Sequence, residues 1–157
     1  MMAAQQNTLA PPAFVKQDGW QGKLTLDFKR SAERTVLAHR RRIGPLAVQR
    51  AFYPEGDACH IYLLHPPGGV VGGDRLEVDV SSRSGAHALL TTPGAAKFYR
   101  SSGAWAEQRQ TLLVENDAVL EWMPQENIAF PGAHARLATR VDLYGNARIV
   151  FWEIHCL

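Results

Sequence analysis

Apolar and polar residues alternate along short stretches through most of this chain. Leu24, Leu26 and Phe28 fall on one side of an extended segment, and Thr25 and Asp27 fall on the other. A period of two residues is typical of a β-strand that is buried on one face only. Further strands are predicted at residues 35–38, 46–52, 61–64, 76–80, 86–92, 110–114, 119–122, 137–143 and 148–154.

Turn residues separate the predicted strands. Gly44-Pro45, Ser84-Gly85 and Gly145-Asn146 are examples, and such pairs favour tight reversals of the backbone. No run of ten residues has helical apolar spacing, and residues 95–103 form at most one helical turn or a structured loop. The pattern therefore predicts an all-β domain, which is a sandwich, a barrel or a β-solenoid, although no strict repeat is present.

The chain divides into a short tail and one domain. Residues 1–19 are polar and small, with Pro11-Pro12 in the middle, and they are predicted to be a poorly ordered N-terminal tail. Residues 20–157 are long enough for one β domain but not for two. The strongly apolar residues 149–157 are either a last strand buried in its own sheet or the uncovered edge of something longer.

Composition narrows the class of protein. The chain is 46% hydrophobic and 20% charged, with a formal net charge of +2, which fits a globular domain and argues against nucleic acid or a membrane surface as the main partner. Its two cysteines are too few for the disulfide framework of a small secreted domain. We find no signal peptide and no apolar run of about 18 residues. We therefore expect a cytoplasmic location.

A block rich in glycine and proline interrupts the strands at residues 65–74. Gly68 and Gly73 have the spacing of a phosphate-binding loop, but Asp74 and Arg75 stand where that loop needs lysine and serine or threonine. A carboxylate there repels phosphate, so nucleotide binding is not expected. The block is predicted to be a specific backbone feature, since proline fixes φ and glycine permits close approach. Its candidate interface residues are His65, Pro66, Pro67, Gly68, Gly69, Gly72 and Gly73.

Two further loop blocks combine aromatic and charged residues. Such a combination is more typical of a protein interface than of base stacking in a chain with so little net charge. The candidate interface residues are Lys97, Phe98, Tyr99 and Arg100 in the first block and Glu121, Trp122, Pro124, Gln125 and Glu126 in the second.

Signatures of catalysis are missing from the sequence. It contains no Gly-x-Ser-x-Gly, His-Glu-x-x-His or Cys-x-x-Cys motif, and we expect no enzyme activity. Asp57, Cys59 and His60 form a loose group of oxygen, sulfur and nitrogen ligands, suited at most to transient binding of nickel or zinc. The alternative is a buried cysteine beside a solvated acidic turn. Residues 39–42, a histidine and three arginines, are interpreted as a solvated basic edge and not as a nucleic-acid site.

The three blocks, at residues 65–74, 91–101 and 120–126, taken together resemble the urease accessory protein family UreD, also called UreH. The segments at 44–55 and 59–64 also fit that family in order and spacing. The resemblance implies an irregular, solenoid-like stack of strands with at most a short helical element. It also implies a non-enzymatic scaffold that binds apo-urease and UreF, which recruits the GTPase UreG. Nickel would pass through the protein transiently, with no tightly bound cofactor.

The resemblance also suggests roles for individual residues. Asp74 matches a family position associated with the metal path, and Asp57, Cys59 and His60 match a plausible entry or relay group. Glu121 and Glu126 are weaker candidates for the path, or charges at the rim of an interface. Family members are longer, so the domain at 20–157 is expected to be incomplete at its C-terminus. The alternatives are a non-functional fragment, a metal store, or a small-molecule enzyme that uses the glycine-rich loop.

Overall fold

The computed structural model describes residues 19–157, so the predicted tail at 1–19 lies outside the described residues except for Gly19. This part of the chain contains strands only, and none of it is a helix that could cross a membrane. The strands are β1 Gln21–Arg30, β2 Thr35–Ile43, β3 Ala47–Val48, β4 Cys59–Leu64, β5 Arg75–Ser82, β6 His87–Thr91, β7 Ala96–Phe98, β8 Ala106–Val114, β9 Val119–Met123, β10 Asn127–Ala129, β11 Ala135–Leu143, β12 Arg148–Phe151 and β13 His155–Cys156.

Three sheets form the walls of the domain. Sheet I has the order β11-β8-β5-β1-β2, sheet II has the order β12-β9-β6-β4-β3, and sheet III has the order β13-β10-β7. From β5 onward the chain visits the three sheets in turn, and each new strand pairs in parallel with the equivalent strand of the previous coil. This is the stacked, solenoid-like arrangement expected for the chain, and the all-β prediction is confirmed.

The core lies between the three sheets and comes from the inward half of each alternating pattern. Leu26, Val80 and Leu112 stand in register across sheet I, and Leu90 stands opposite Trp122 in sheet II. All five are buried. Parallel strands stacked in register place the same position of each coil on the same face, so one apolar column continues from coil to coil.

Several segments differ from the sequence prediction. The strand predicted at 148–154 ends at Phe151, and the large apolar side chains between Val150 and Leu157 are exposed and not buried in their own sheet. Residues 95–103 form no helical turn, because β10 supplies a parallel backbone partner for β7. The long strand predicted at 46–52 shortens to β3 and one isolated bridge between Phe52 and His60. The strand predicted at 35–38 instead continues to Ile43, since β1 pairs with its whole length.

Candidate functional site

The loop at 65–74 is held in place by its last residue, Asp74. This carboxylate is 2% exposed. Its Oδ1 accepts a hydrogen bond from the Trp20 backbone N–H at 2.8 Å, and its Oδ2 accepts one from the Val71 N–H at 2.9 Å. Gly73, with φ of 99°, takes a backbone conformation that other residues rarely adopt. Asp74 therefore ties the loop to the start of β1.

The loop closes one side of an internal cavity of about 260 Å³ between the three sheets. Leu24, Val78 and Gln110 stand in register on the inward face of sheet I, so β8 places an amide where the two preceding strands place aliphatic side chains. Asn127 of β10 and the neighbouring Gln108 of β8 also line the cavity. The cavity lining is thus mainly apolar, and a few amide side chains and His65 supply its polar groups.

Two of these polar side chains are almost fully buried. Gln110 is 5% exposed and Asn127 is 6% exposed. Trp122 also lines the cavity, and within residues 19–157 its buried indole N–H has no hydrogen-bond acceptor. Buried polar groups normally find partners, so the Trp122 N–H is a donor that water or a polar occupant of the cavity could satisfy.

His65 is the ionisable side chain of the glycine-rich block that lines the cavity. Burial lowers the pKa of His65, and the negative charge of Asp74 opposes that shift to a smaller extent. The neutral imidazole is therefore favoured in the folded protein. A neutral imidazole offers a lone pair to a metal ion and adds no positive charge that would repel one.

The lowered pKa of His65 makes stability depend on pH. The unfolded chain takes up the proton first as the pH falls through the ordinary histidine value, so the free energy of unfolding decreases between that value and the lower folded value. We expect His65→Gln to lose less stability than the wild type when urea unfolding is compared at about pH 7.5 and about pH 5.5. His39→Gln, on the exposed part of β2, is the control and should behave as the wild type. Equal losses in the His65 variant and the wild type would contradict the prediction.

Asp57, Cys59 and His60 are not brought together. Adjacent strand residues point to opposite faces, and Cys59 lies in the core while His60 packs against the Phe52 ring on the other side, with ring centroids 5.5 Å apart. Asp57 pairs with Arg30. Nowhere in residues 19–157 do three or more histidine, cysteine, aspartate or glutamate side chains form a group that could hold a metal ion.

The chemistry of Cys59 and His60 follows from their burial. Burial raises the pKa of the Cys59 thiol, and the Tyr53 side chain opposes that shift, so the thiol stays protonated and unreactive. The buried Nε2 of His60 has no hydrogen-bond partner among the described residues, and Glu55 Oε2 lies 3.8 Å away. The geometry is that of two separate groups, and neither one faces the cavity.

The block at 97–100 is divided between the core and the surface. Phe98 is 1% exposed, whereas Lys97, Tyr99 and Arg100 are exposed on the outer side of sheet III. The Tyr99 ring stacks on Phe130 with centroids 5.2 Å apart. Gly69 packs so closely against Tyr99 that a Cβ there would lie 2.2 Å from Cε2. The glycine-rich block therefore seats an exposed aromatic pair.

The block at 120–126 is divided in the same way. Trp122 faces inward, while Glu121 lies on the outer face and contacts Nε2 of His87 at 2.6 Å. The Pro124 carbonyl accepts a hydrogen bond from the Trp152 indole at 3.0 Å. The Gln125 N–H donates to the Thr92 hydroxyl at 2.9 Å, and the Glu126 carbonyl accepts from the Ala96 N–H at 2.9 Å. This segment joins successive coils.

The amides of Gln108, Gln110 and Asn127 were not predicted from the sequence to be site residues. Gln108 and Gln110 occupy inward positions of an alternating strand, where an apolar residue is expected. That exception to the pattern was the available signal. Asn127 gave no comparable signal because β10 is only three residues long.

Comparison with models of known protein families shows which family this chain belongs to. The model of the family described as UreD urease accessory protein matches residues 21–157, which is nearly the whole described chain. The chain belongs to the UreD family.

Individual relatives agree with this assignment. The chain is 55% identical over 148 residues to the Urease accessory protein UreD of Alkalilimnicola ehrlichii, covering 94% of this chain and 50% of that protein. It is 52% identical over 146 residues to the same protein of Aliivibrio fischeri strain ES114, covering 93% and 51%. For Klebsiella aerogenes the values are 53% over 139 residues, with 88% and 52% covered. The chain thus spans about half the length of the curated relatives that it matches.

Proposed function

We propose that this protein is a non-enzymatic scaffold in the maturation of urease, and that nickel passes through its internal cavity on the way to apo-urease. UreF and UreG are the proposed partners on the delivering side, in the cytoplasm. The family assignment supports the role in urease maturation. The observation that carries the path is the group of polar side chains, Gln108, Gln110, Asn127 and the neutral His65, around one partly open and otherwise mainly apolar cavity.

The chemistry of the lining favours passage over storage. A structural metal site uses a closed set of about four strong ligands, and within residues 19–157 no such set exists. Neutral amide oxygens and one imidazole replace part of a cation's hydration shell without adding the charge that would hold it. A conducting path needs binding strong enough to admit an ion and weak enough to release it.

Asp74 has a supporting part in this proposal. Both of its oxygens are used to bind backbone N–H groups, so it shapes the loop that closes the cavity and adds negative charge near His65. The same engagement argues against an enzyme that uses the glycine-rich loop, since the carboxylate is not free to exchange protons with a substrate.

To test this proposal, two polar side chains of the cavity lining are replaced by apolar ones, and the outer surface is left unchanged. Gln110→Met with Asn127→Leu keeps side-chain size but removes the amides, and we expect the nickel content of co-expressed urease to fall about tenfold because a polar ion must then cross an apolar passage. Nickel is measured in purified urease by atomic emission after co-expression of the full chain with urease, UreF and UreG. Co-purification of the chain with its partners should be unchanged.

Thr111→Val is the matched control. Thr111 lies next to Gln110 on β8 but on the outer face, and this variant should load nickel as the wild type does. Normal loading with the lining variant would contradict the path through the cavity. Failure of the wild-type chain to raise urease nickel above the level without it would contradict the scaffold role as well.

A further inference from the structure

The strand β2 pairs with β1 along its length, but only its first residues are buried or half-buried. Thr35 is buried and its N–H donates to the Asp57 carbonyl at 2.9 Å. From Ala38 to Ile43 every residue is exposed. Sheet I ends at β2, so within residues 19–157 the outer edge of this stretch pairs with no other strand.

The free stretch of β2 is strongly basic. The register pairs Arg40 with Leu26 and Arg42 with Leu24, which places both arginines on one face of the strand, and Arg41 is on the other. Among residues 19–157, no carboxylate lies within ion-pair distance of these three guanidinium groups.

Several cations elsewhere in the same sheet are paired with carboxylates, although among the described residues Lys29 and Arg75 are not. Lys23 of β1 pairs with Glu77 and Asp79 at 3.2 and 3.1 Å, and Arg140 of β11 pairs with Asp142 at 2.8 Å. What distinguishes β2 is that three arginines, unpaired within residues 19–157, stand next to one another on the edge of the sheet, which gives this edge a local excess of positive charge.

The need to keep an edge strand from pairing with other chains does not by itself explain three adjacent arginines on β2. Proteins block an edge strand with a charge, commonly one lysine, or with a bulge, and β2 already has a register shift opposite Asp27 and Phe28. Beyond that shift, five residues pair in regular register with β1, so no second bulge interrupts this part of the edge. Three arginines there supply forked donors that match carboxylates in a bidentate way.

We propose that the stretch from Ala38 to Ile43 binds an extended acidic segment of a partner protein, which adds to sheet I as a sixth strand. Its backbone would pair with the free edge of β2, and carboxylates at alternate positions would meet Arg40 and Arg42 on one face or Arg41 on the other. Nucleic acid is a poorer fit, because it cannot use the unpaired backbone groups of an edge strand and the net charge of the chain is only +2. This proposal is independent of the nickel path.

The experiment uses the full chain and three labelled peptides of nine residues. The first alternates glutamate with threonine, the second has glutamine in place of glutamate, and the third is the first peptide N-methylated at alternate residues. Fluorescence anisotropy should detect binding of the first peptide only. Hydrogen exchange should show new protection confined to Ala38–Ile43. Arg40→Gln with Arg42→Gln should weaken binding about tenfold, since each exposed charge pair contributes a modest amount.

Arg109→Gln with Arg148→Gln is the matched control, because it removes the same charge from exposed positions of other strands. It should bind the acidic peptide within about twofold of the wild type. Equal binding of the N-methylated peptide would overturn strand addition, and so would the absence of binding by all three peptides. Tighter binding of a single-stranded RNA of twelve nucleotides would overturn the choice of a protein partner.

Discussion

Replacing Asp74 with alanine is expected to lower the free energy of unfolding by about 3 kcal/mol, since hydrogen bonds to a charged group contribute roughly 1.5–3 kcal/mol each and water can partly replace them. The carboxylate is buried and accepts two backbone N–H groups, from Trp20 and from Val71. Alanine leaves both donors without their acceptor. Urea denaturation at neutral pH, with the midpoint and slope fitted together, measures the loss.

Asp79→Ala is the control for this prediction. Asp79 is partly exposed and pairs with Lys23 at 3.1 Å on the outer face of sheet I, so its loss should cost less than about 1 kcal/mol. An Asp74→Ala protein as stable as the wild type would show that the carboxylate does not anchor the loop. A defect in nickel delivery caused by Asp74→Ala would then be attributable to the metal path itself.

The second large effect is expected for Phe98→Ala, which should destabilise the protein by about 3–5 kcal/mol. The side chain is 1% exposed and packs inside the stack of sheets, on a strand of only three residues. Removing the ring leaves a cavity that the neighbouring coils cannot fill without shifting their register. Thermal and urea unfolding of the purified variant measure the loss.

Tyr99→Ala is the natural comparison, because Tyr99 is the next residue and is 43% exposed. Its contact with Phe130 is a surface aromatic stack, so the variant should lose no more than about 1.5 kcal/mol. A larger loss at Tyr99 than at Phe98 would mean that the assignment of core and surface within this block is wrong.

Much of the fold could be predicted from the alternation of residue types. Leu24, Leu26 and Phe28 fall on the buried face of β1, as the pattern indicated. The lengths of β2 and β7 could not be predicted. Both depend on pairing with another strand, the preceding β1 for the first and β10, which is distant in sequence, for the second, and a strand is stable only when such a partner bonds to it.

The candidate site was predictable in part. The glycine-rich block and the block at 97–100 were identified from residue types, and Asp74 was identified as a site residue through the family resemblance. The sequence grouping of Asp57, Cys59 and His60 did not predict the directions of their side chains. Cys59 and His60 are neighbours in sequence and lie on opposite faces of β4. Spacing along the chain limits how far apart two residues can lie. The direction in which each side chain points depends on the pleat of the strand.

The sequence by itself determined that this chain is an all-β member of the UreD family with three loop blocks rich in glycine, proline, aromatic or charged residues. Only the tertiary structure decided that Asp74 serves as an internal anchor, that Gln110 and Asn127 meet in one cavity, and that the arginines of β2 stand on a free edge. The physical reason is that residue type fixes which face of a strand is buried. Which strands become neighbours, and therefore which side chains share a space, is decided by the stacking of whole coils.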